Sequence, residues 1–471
     1  MYSFTQINLV VLYWKSKKLS DETPVISDYP KVTVQLPVYN ELYVIERLID
    51  AVCEFDYPKD ALEFQVLDDS TDETENIIAA KVKEKTLEGI DIQHVRRPER
   101  IGYKAGALKY GNEIAKGEFI AIFDADFIPP PDFLKKTIPF FKDEKIGVVQ
   151  TRWGHINKDY SLLTKLQAFG LDAHFTIEQS GRSFGKHFIN FNGTAGVWRL
   201  DCINDAGGWQ ADTLTEDLDL SYRAQEKGWK FKYLEEFESP AELPAAMSAL
   251  KSQQYRWTKG AAECSVKNLK LIFKSDNVNL GSKFHGFFHL MNSFLFICII
   301  VTALLSVPVL LIQSSYPEYA WVFNAASILL LSSLFLAVYY FVSRLTINKS
   351  TGKSIADFLL HFPLFLCVSM GLSLHNSIAV IEAYMGKKTP FVRTPKFNVN
   401  RKGDKWNNNV YVKKQLNPLA ILEIAMAMYA LVGIALAFWI NDFGLLIYHI
   451  MLVVGFSFVS YHSIRDYRKL A

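Results

Sequence analysis

Two stretches of the chain are almost free of charge, and they constrain the fold more than any other feature. Residues 284–343 contain one charged side chain, Glu318, and residues 418–463 contain two, Glu423 and Asp442. A membrane-crossing helix needs roughly 20 apolar residues. Each stretch therefore holds two candidate spans, 289–312 with 321–343 and 418–440 with 444–462. The remaining composition makes sense only once the chain is split. It is 50% hydrophobic and 21% charged, with a formal charge of +2 and a mean hydropathy of +0.08. These values average a polar part with a membrane part. The near-neutral balance argues against a strongly basic nucleic-acid binder and against an acidic tail protein. The five cysteines, Cys53, Cys202, Cys264, Cys298 and Cys367, are scattered and show no CxxC or metal-ligand spacing. They read as reduced, structural thiols.

Basic residues set the expected sidedness, because Lys and Arg concentrate on the cytoplasmic side. They cluster at Arg344, Lys349 and Lys353, then along 386–414 from Lys387 to Lys414, and again at Arg465, Arg468 and Lys469. The turns at 313–320 and 440–444 carry none and belong outside. This pattern holds only if the mixed apolar stretch 355–385, with Asp357, His361, His375 and Glu382, enters and leaves on one side. An interfacial or re-entrant segment is expected there. Phe4 to Trp14 is apolar and closes on Lys15, Lys17 and Lys18. It reads as the second half of a membrane helix, so residues 1–18 are expected to be a partial N-terminal membrane helix.

Between these parts, residues 28–265 alternate strand and helix signals, the pattern of an α/β fold with a mainly parallel sheet. Strands are expected at Lys31–Leu36, Phe64–Leu67, Ile90–Val95 and Glu118–Phe123. Helices are expected at Glu41–Phe55, Asp72–Lys85, Gly106–Ala115 and Leu218–Lys227. Carboxylates recur where strands end, at Asp68-Asp69 and Asp124-Ala125-Asp126. Open α/β sheets place ligands at that edge.

Asp124 and Asp126, at i and i+2 on a strand end, can share one hard divalent cation, Mg²⁺ or Mn²⁺, with a diphosphate. An ordinary acidic turn has the same appearance. Thr215-Glu216-Asp217 opens a helix, either as a favourable N-terminus or with Asp217 as a base for an alcohol nucleophile. Gln253-Gln-Tyr-Arg256-Trp257 supplies a fork for phosphate oxygens and a flat face for a sugar, or equally an amphipathic interface helix. No GxxxxGK[ST] and no GxGxxG occurs, so neither phosphate cradle is supported.

In order and company these motifs resemble glycosyltransferase family 2, in its processive, cellulose-synthase-like branch. The series is Pro37-Val-Tyr39-Asn-Glu41, Asp68-Asp69-Ser70, Lys104-Ala-Gly106, Asp124-Ala-Asp126, Thr215-Glu-Asp217 and Gln253…Arg256-Trp257. Phe191-Asn192-Gly193-Thr194-Ala-Gly-Val-Trp-Arg199 and Ala206-Gly-Gly-Trp209 are similar to the plant cellulose-synthase-like mannan and glucan synthases. Phe391-Val-Arg393-Thr394-Pro-Lys396 is similar to the family's gating loop, departing from its FxVT pattern at Arg393.

The resemblance implies a GT-A type α/β nucleotide-sugar domain plus an α-helical transmembrane domain. It implies a division into a cytoplasmic catalytic domain (28–265), an interface helix with two spans (266–343), an interfacial segment and gating-like loop (344–415), two spans (416–463) and a cytoplasmic tail (464–471). Pro37, Tyr39, Glu41, Asp68, Asp69, Lys104, Asp124, Gln253, Arg256, Trp257, Thr394 and Lys396 would hold the nucleotide sugar. Asp124 and Asp126 would hold Mg²⁺ or Mn²⁺, Asp217 would be the base, and Asn192, Gly193, Thr194, Glu216 and Trp257 would border the acceptor. The implied partners are a sugar nucleotide (UDP-glucose or GDP-mannose), a β-glycan acceptor and a lipid bilayer, with no nucleic acid. The implied location is the plasma membrane of a bacterium or the Golgi of a plant. Asn292, Asn324 and Glu423 either face a glycan path or pack helices. Two readings compete with a β-glycan synthase: transfer of one sugar to a lipid, and a transporter with a regulatory nucleotide domain.

Overall fold

The computed structural model describes residues 2–18, 23–316, 331–348, 350–406, 409–412 and 416–470, together with Glu318, Trp321 and Ala325. Asn324, Lys349, Lys413, Lys414 and most of the 321–330 half of the second expected span lie outside the described residues.

Seven strands form one sheet: β1 (Val32–Val38), β2 (Leu62–Asp68), β3 (Ile92–Val95), β4 (Phe119–Ile122), β5 (Ile146–His155), β6 (Gly196–Arg199) and β7 (Lys230–Ala241). Their spatial order is β3-β2-β1-β4-β6-β5-β7. The β1/β2, β2/β3, β1/β4 and β5/β7 pairs are parallel, and β6 runs antiparallel to both β4 and β5. Every residue of β2 is buried. Its polar members are matched across the sheet, Thr33 Oγ1 donating to Glu63 at 2.7 Å and Gln35 to Gln65 at 3.1 Å. Leaving such buried groups unpaired would be costly. One face of the sheet packs Val34, Leu36, Leu48 and Ile78; the other packs Leu108, Ile120, Trp198 and Leu220. Sheet order departs from chain order on either side of β1, and the crevice at the β1/β4 switch point is where this architecture binds ligands.

Five described helices are long and apolar enough to cross a membrane: Phe294–Ser315, Leu331–Asn348, Thr351–Tyr384, Leu419–Trp439 and Leu446–Lys469. This architecture fits an integral membrane protein. The helix Tyr2–Ser16 packs Val10 and Tyr13 against Ala173, Ile177, Tyr339 and Val342. One unbroken helix, Met247–Lys274, runs through residue 265, where the sequence suggested a domain boundary.

The stretch expected as interfacial or re-entrant is one continuous 34-residue helix, Thr351–Tyr384, with no re-entrant break. Pro363 is accommodated within it. At 1.5 Å per residue it is about 50 Å long, yet it meets the α/β part along most of its length. Asp357 lies 3.4 Å from Arg344, which pairs with Asp172 at 2.7 Å. The Phe365 ring lies 5.5 Å from that of Phe169, tilted by 46°. His375 bonds the Lys251 carbonyl at 2.9 Å, and Glu382 lies 3.4 Å from Lys259. Glycines bring this helix against the last one: a Cβ on Gly371 would lie 2.2 Å from the Gly455 carbonyl oxygen. Without side chains at these two positions the helix backbones can approach closely. Glu423 is fully buried and ion-paired with Lys251 at 2.7 Å, so it serves helix packing. Asn292 sits in the turn between the helices Leu280–Leu290 and Phe294–Ser315.

Candidate active site

One cavity lies over the carboxyl ends of β1, β2 and β4, and most of the residues singled out from the sequence converge on it. Pro37, Tyr39, Glu41, Asp69, Lys104, Asp124, Asp126, Asn192, Gly193, Glu216, Asp217, Gln253, Arg256, Trp257, Thr394 and Lys396 all line it. Asp68 does not reach it. Its carboxylate accepts from Ser70 N at 2.8 Å and lies 2.8 Å from His94, which fixes the turn that presents Asp69. Thr194 lies beneath the floor, where its hydroxyl accepts the Asp124 N–H at 2.9 Å.

Charge pairing organises the cavity. Lys104 donates to Asp124 at 2.5 Å and to the Gly193 carbonyl at 2.8 Å. Burial alone would lower its pKa, but Asp124 and Glu216 outweigh that and hold it above the usual lysine value. Lys396 donates to Asp126 at 2.7 Å, and Arg393 pairs with Glu41 at 2.6 Å. Arg393, the position that departs from the family's loop pattern, also lies over the Tyr411 ring at 4.2 Å. Arg256 donates to the Thr394 hydroxyl at 3.1 Å and lies over Phe391 at 4.5 Å. The loop after Tyr384 therefore lies down on the cavity, although its ends are remote in sequence from the strands it covers. Glu242 anchors it, accepting from Phe397 N at 2.8 Å and Asn398 N at 3.0 Å.

Asp217 stands at the first turn of the helix Glu216–Glu226. Burial pushes its carboxyl up to about 7; Glu216's charge adds to this and Lys104 opposes it. Glu41 is likewise pushed up to about 7, chiefly by burial, against the pull of Arg393 and Lys396. Gly193 has φ +78°, and a Cβ there would lie 2.9 Å from Asp217 Oδ2. Only glycine combines that left-handed backbone with so close an approach.

The metal question turns on donor chemistry. Asp124 and Asp126 present hard oxygens to the cavity, and the buried Asp126 Oδ1 has no hydrogen-bond partner among the described residues. No group of three or more His, Cys, Asp or Glu side chains that could hold a metal occurs among the described residues. Two carboxylates fit a cation such as Mg²⁺ that takes its other ligands from phosphate and water.

Lining residues that were not singled out from the sequence include Arg100, Trp153, His155 and Glu242. Trp153 and His155 sit at i and i+2 near the carboxyl end of β5, so they share one face. That spacing, read as the Asp124/Asp126 spacing was read, is the signal that would have found them. Trp153 stacks on Phe175 and lies 6.5 Å from Trp257. His155 is backed by Asp172 at 3.2 Å.

Residues 30–260 match the family model described as glycosyltransferase-like family 2. A probable glucomannan 4-β-mannosyltransferase of Oryza sativa subsp. japonica is 41% identical over 320 residues, covering 65% of this chain and 58% of that protein. A glucomannan 4-β-mannosyltransferase of Arabidopsis thaliana is 38% identical over 356 residues, covering 71% of this chain and 66% of that protein. The chain thus spans less than two thirds of the length of these relatives. Among solved structures, a mannosyltransferase from Pyrobaculum calidifontis in complex with GDP-mannose and Mn²⁺ aligns with a TM-score of 0.52 at 18% identity, over 82% of this chain and 99% of that one. The α/β part has the GT-A-like fold.

Proposed function

Because residues 30–260 form a glycosyltransferase-like family 2 domain, we propose that the chain is a membrane-embedded, inverting glycosyltransferase. It transfers mannose from GDP-mannose to the end of a β-1,4-linked glycan and extrudes the lengthening product. One observation carries this reading: a half-buried carboxylate, Asp217, shares a single cavity with the Asp124/Asp126 pair and with Lys104, Arg256 and Lys396. The mannosyl unit and the β-1,4 linkage follow the names of the rice and Arabidopsis relatives.

Asp217 accepts the proton of the acceptor hydroxyl as its oxygen attacks the anomeric carbon. The bond from that carbon to the diphosphate oxygen breaks, so configuration inverts in one displacement and no covalent sugar–enzyme species forms. Asp124 and Asp126 would hold Mg²⁺ or Mn²⁺, which supplies charge neutralisation to the leaving diphosphate. Lys104, Arg256 and Lys396 add fixed positive charge at the same place. Trp257 and Trp153 give the acceptor sugar a flat apolar face. Glu41, Tyr39 and Asp69 form the nucleoside side.

Four helices cross the bilayer, and Thr351–Tyr384 lies along its cytoplasmic face. The contacts of that helix with the α/β part at Phe365, His375 and Glu382 support this arrangement. It keeps the loop over the cavity on the catalytic side, in a plasma-membrane setting in a bacterium and a Golgi setting in a plant. Cysteine labelling that reached 386–406 from outside would refute it.

The decisive test incubates the purified full chain with Mg²⁺ or Mn²⁺ and a panel of GDP- and UDP-sugars, then sizes the product and digests it with β-mannanase. Metal-dependent, mannanase-sensitive polymer from GDP-mannose is expected. A single-sugar glycolipid would favour the lipid-acceptor reading, and no transfer from any sugar nucleotide would overturn the proposal.

A further inference from the structure

We propose that Arg100 reads the base of the donor nucleotide and selects guanine over uracil. The inference rests on the reading of the cavity as a nucleotide-sugar site. The sheet order fixes which end holds the base. Asp124 and Asp126, where the diphosphate lies, follow β4, and Trp153 and His155 of the acceptor side lie near the end of β5, beyond β6. The opposite direction from β4 leads over Tyr39 after β1 and Asp69 after β2 to Arg100, on the loop after β3. A nucleoside and a sugar joined through one diphosphate point to opposite ends, so the base lies at the Arg100 end.

Three arginines occupy this stretch, and two are committed. Arg96 pairs with Glu75 at 2.5 Å and reaches Asp68 at 3.3 Å. Arg97 grips Asp69 with two bonds of 2.7 and 2.6 Å and donates to the Ile101 and Tyr103 carbonyls. Arg100 has donors to spare. Its guanidinium lies 3.3 Å from the centre of the Tyr39 ring, its buried Nε has no hydrogen-bond partner among the described residues, and its nearest carboxylate oxygen, on Asp69, is 3.9 Å away.

A free guanidinium fork in a base slot discriminates by counting acceptors. Guanine presents O6 and N7 side by side, the pair that an arginine engages with two bonds. The corresponding edge of uracil offers O4 beside a C–H and takes one. Tyr39 stacks on either base, so the ring supplies affinity without choice. On nucleotide entry the guanidinium leaves the Tyr39 face for the base edge, and the ring it covered receives the base.

The test measures equilibrium binding of GDP, IDP and UDP to the purified full chain and to Arg100→Ala and Arg100→Lys. IDP keeps O6 and N7 but lacks the exocyclic amine. The wild type is expected to bind GDP and IDP alike and UDP at least about tenfold more weakly. Arg100→Ala should weaken GDP and IDP about tenfold and UDP less than about twofold, which removes the preference. Arg100→Lys, which keeps the charge and loses the fork, should behave like alanine. Equal losses for GDP and UDP, no loss, or full rescue by lysine would overturn the assignment while leaving the nucleotide site intact. A wild type that binds none of the three would instead overturn the reading of the cavity itself.

Discussion

The two ends of the cavity are built from different forces. At the donor end each of four carboxylates faces a cation of its own chain: Asp69 with Arg97, Glu41 with Arg393, Asp124 with Lys104 and Asp126 with Lys396. At the acceptor end the walls are Trp153, Trp257, Leu171 and Leu243, and His155 beside them is backed by Asp172, which pairs with Arg344. Buried charge needs a partner, and two of the donor-end partners come from the loop that covers the cavity. On the proposed reading an incoming diphosphate would meet ion pairs already in place, and Lys396, now bonded to Asp126, is the cation that would turn to phosphate oxygens. The acceptor end needs no exchange, because a flat apolar wall is ready for a sugar ring.

Asp217 belongs to both ends, so its removal is the sharpest way to separate chemistry from binding. Asp217→Asn should lower transfer by about 10³-fold or more while nucleotide binding stays within about threefold. Residual turnover near the wild-type rate would place the base elsewhere and dissolve the division between the ends.

The next largest effect belongs to the donor end. Lys396→Ala removes a charge-assisted bond to the diphosphate and should raise the donor KM by about 10- to 100-fold with the acceptor KM unchanged. At the acceptor end the split reverses. Trp153→Ala removes one stacking face and should raise the acceptor KM by about tenfold, leaving GDP binding unaltered. If both variants moved both constants together, the cavity would be one coupled site and the contrast would fail.

The same contrast explains what could be read from the sequence. The donor end was legible because its groups sit on local signals: a run of apolar residues, then Asp, at Phe64–Asp69 and Phe119–Asp126. The four strands expected first are β1 to β4, with shifts of a residue or two at their ends. The acceptor end was less legible. Trp153 and His155 end a strand that reads like any core strand, and β6 enters antiparallel from the segment after Phe191, whose pattern carries no strand period. Pairings such as Arg393 with Glu41 join opposite ends of the chain, and nothing local marks either partner. The helix Thr351–Tyr384 shows the limit from the other side. Length and composition admit it as a span just as they admit Phe294–Ser315, and the proposed interfacial placement rests on its charged flanks and its contacts along the α/β part.

The smallest effect is on stability, and its sign is opposite to the effect on activity. Asp217 holds its proton up to about pH 7 in the folded protein, chiefly because it is buried, whereas an unfolded aspartate releases it near its ordinary value of 3.8. The folded state therefore binds more protons than the unfolded state between those values, and stability falls as pH rises through that window. Asparagine mimics the protonated form and does not titrate. Asp217→Asn should match the wild type in thermal midpoint near pH 4 and exceed it by about 2 °C or more at pH 8, with the gap opening as pH approaches 7. The activity of the wild type runs the other way: a base must be ionised, so kcat/KM falls as pH drops below about 7. Thermal midpoints of the detergent-solubilised pair across pH 4–8 check the first statement and a pH–rate profile the second. A gap independent of pH would mean that the carboxylate is ionised at low pH, which requires the cations of the donor end to reach it and makes the two ends a single electrostatic unit.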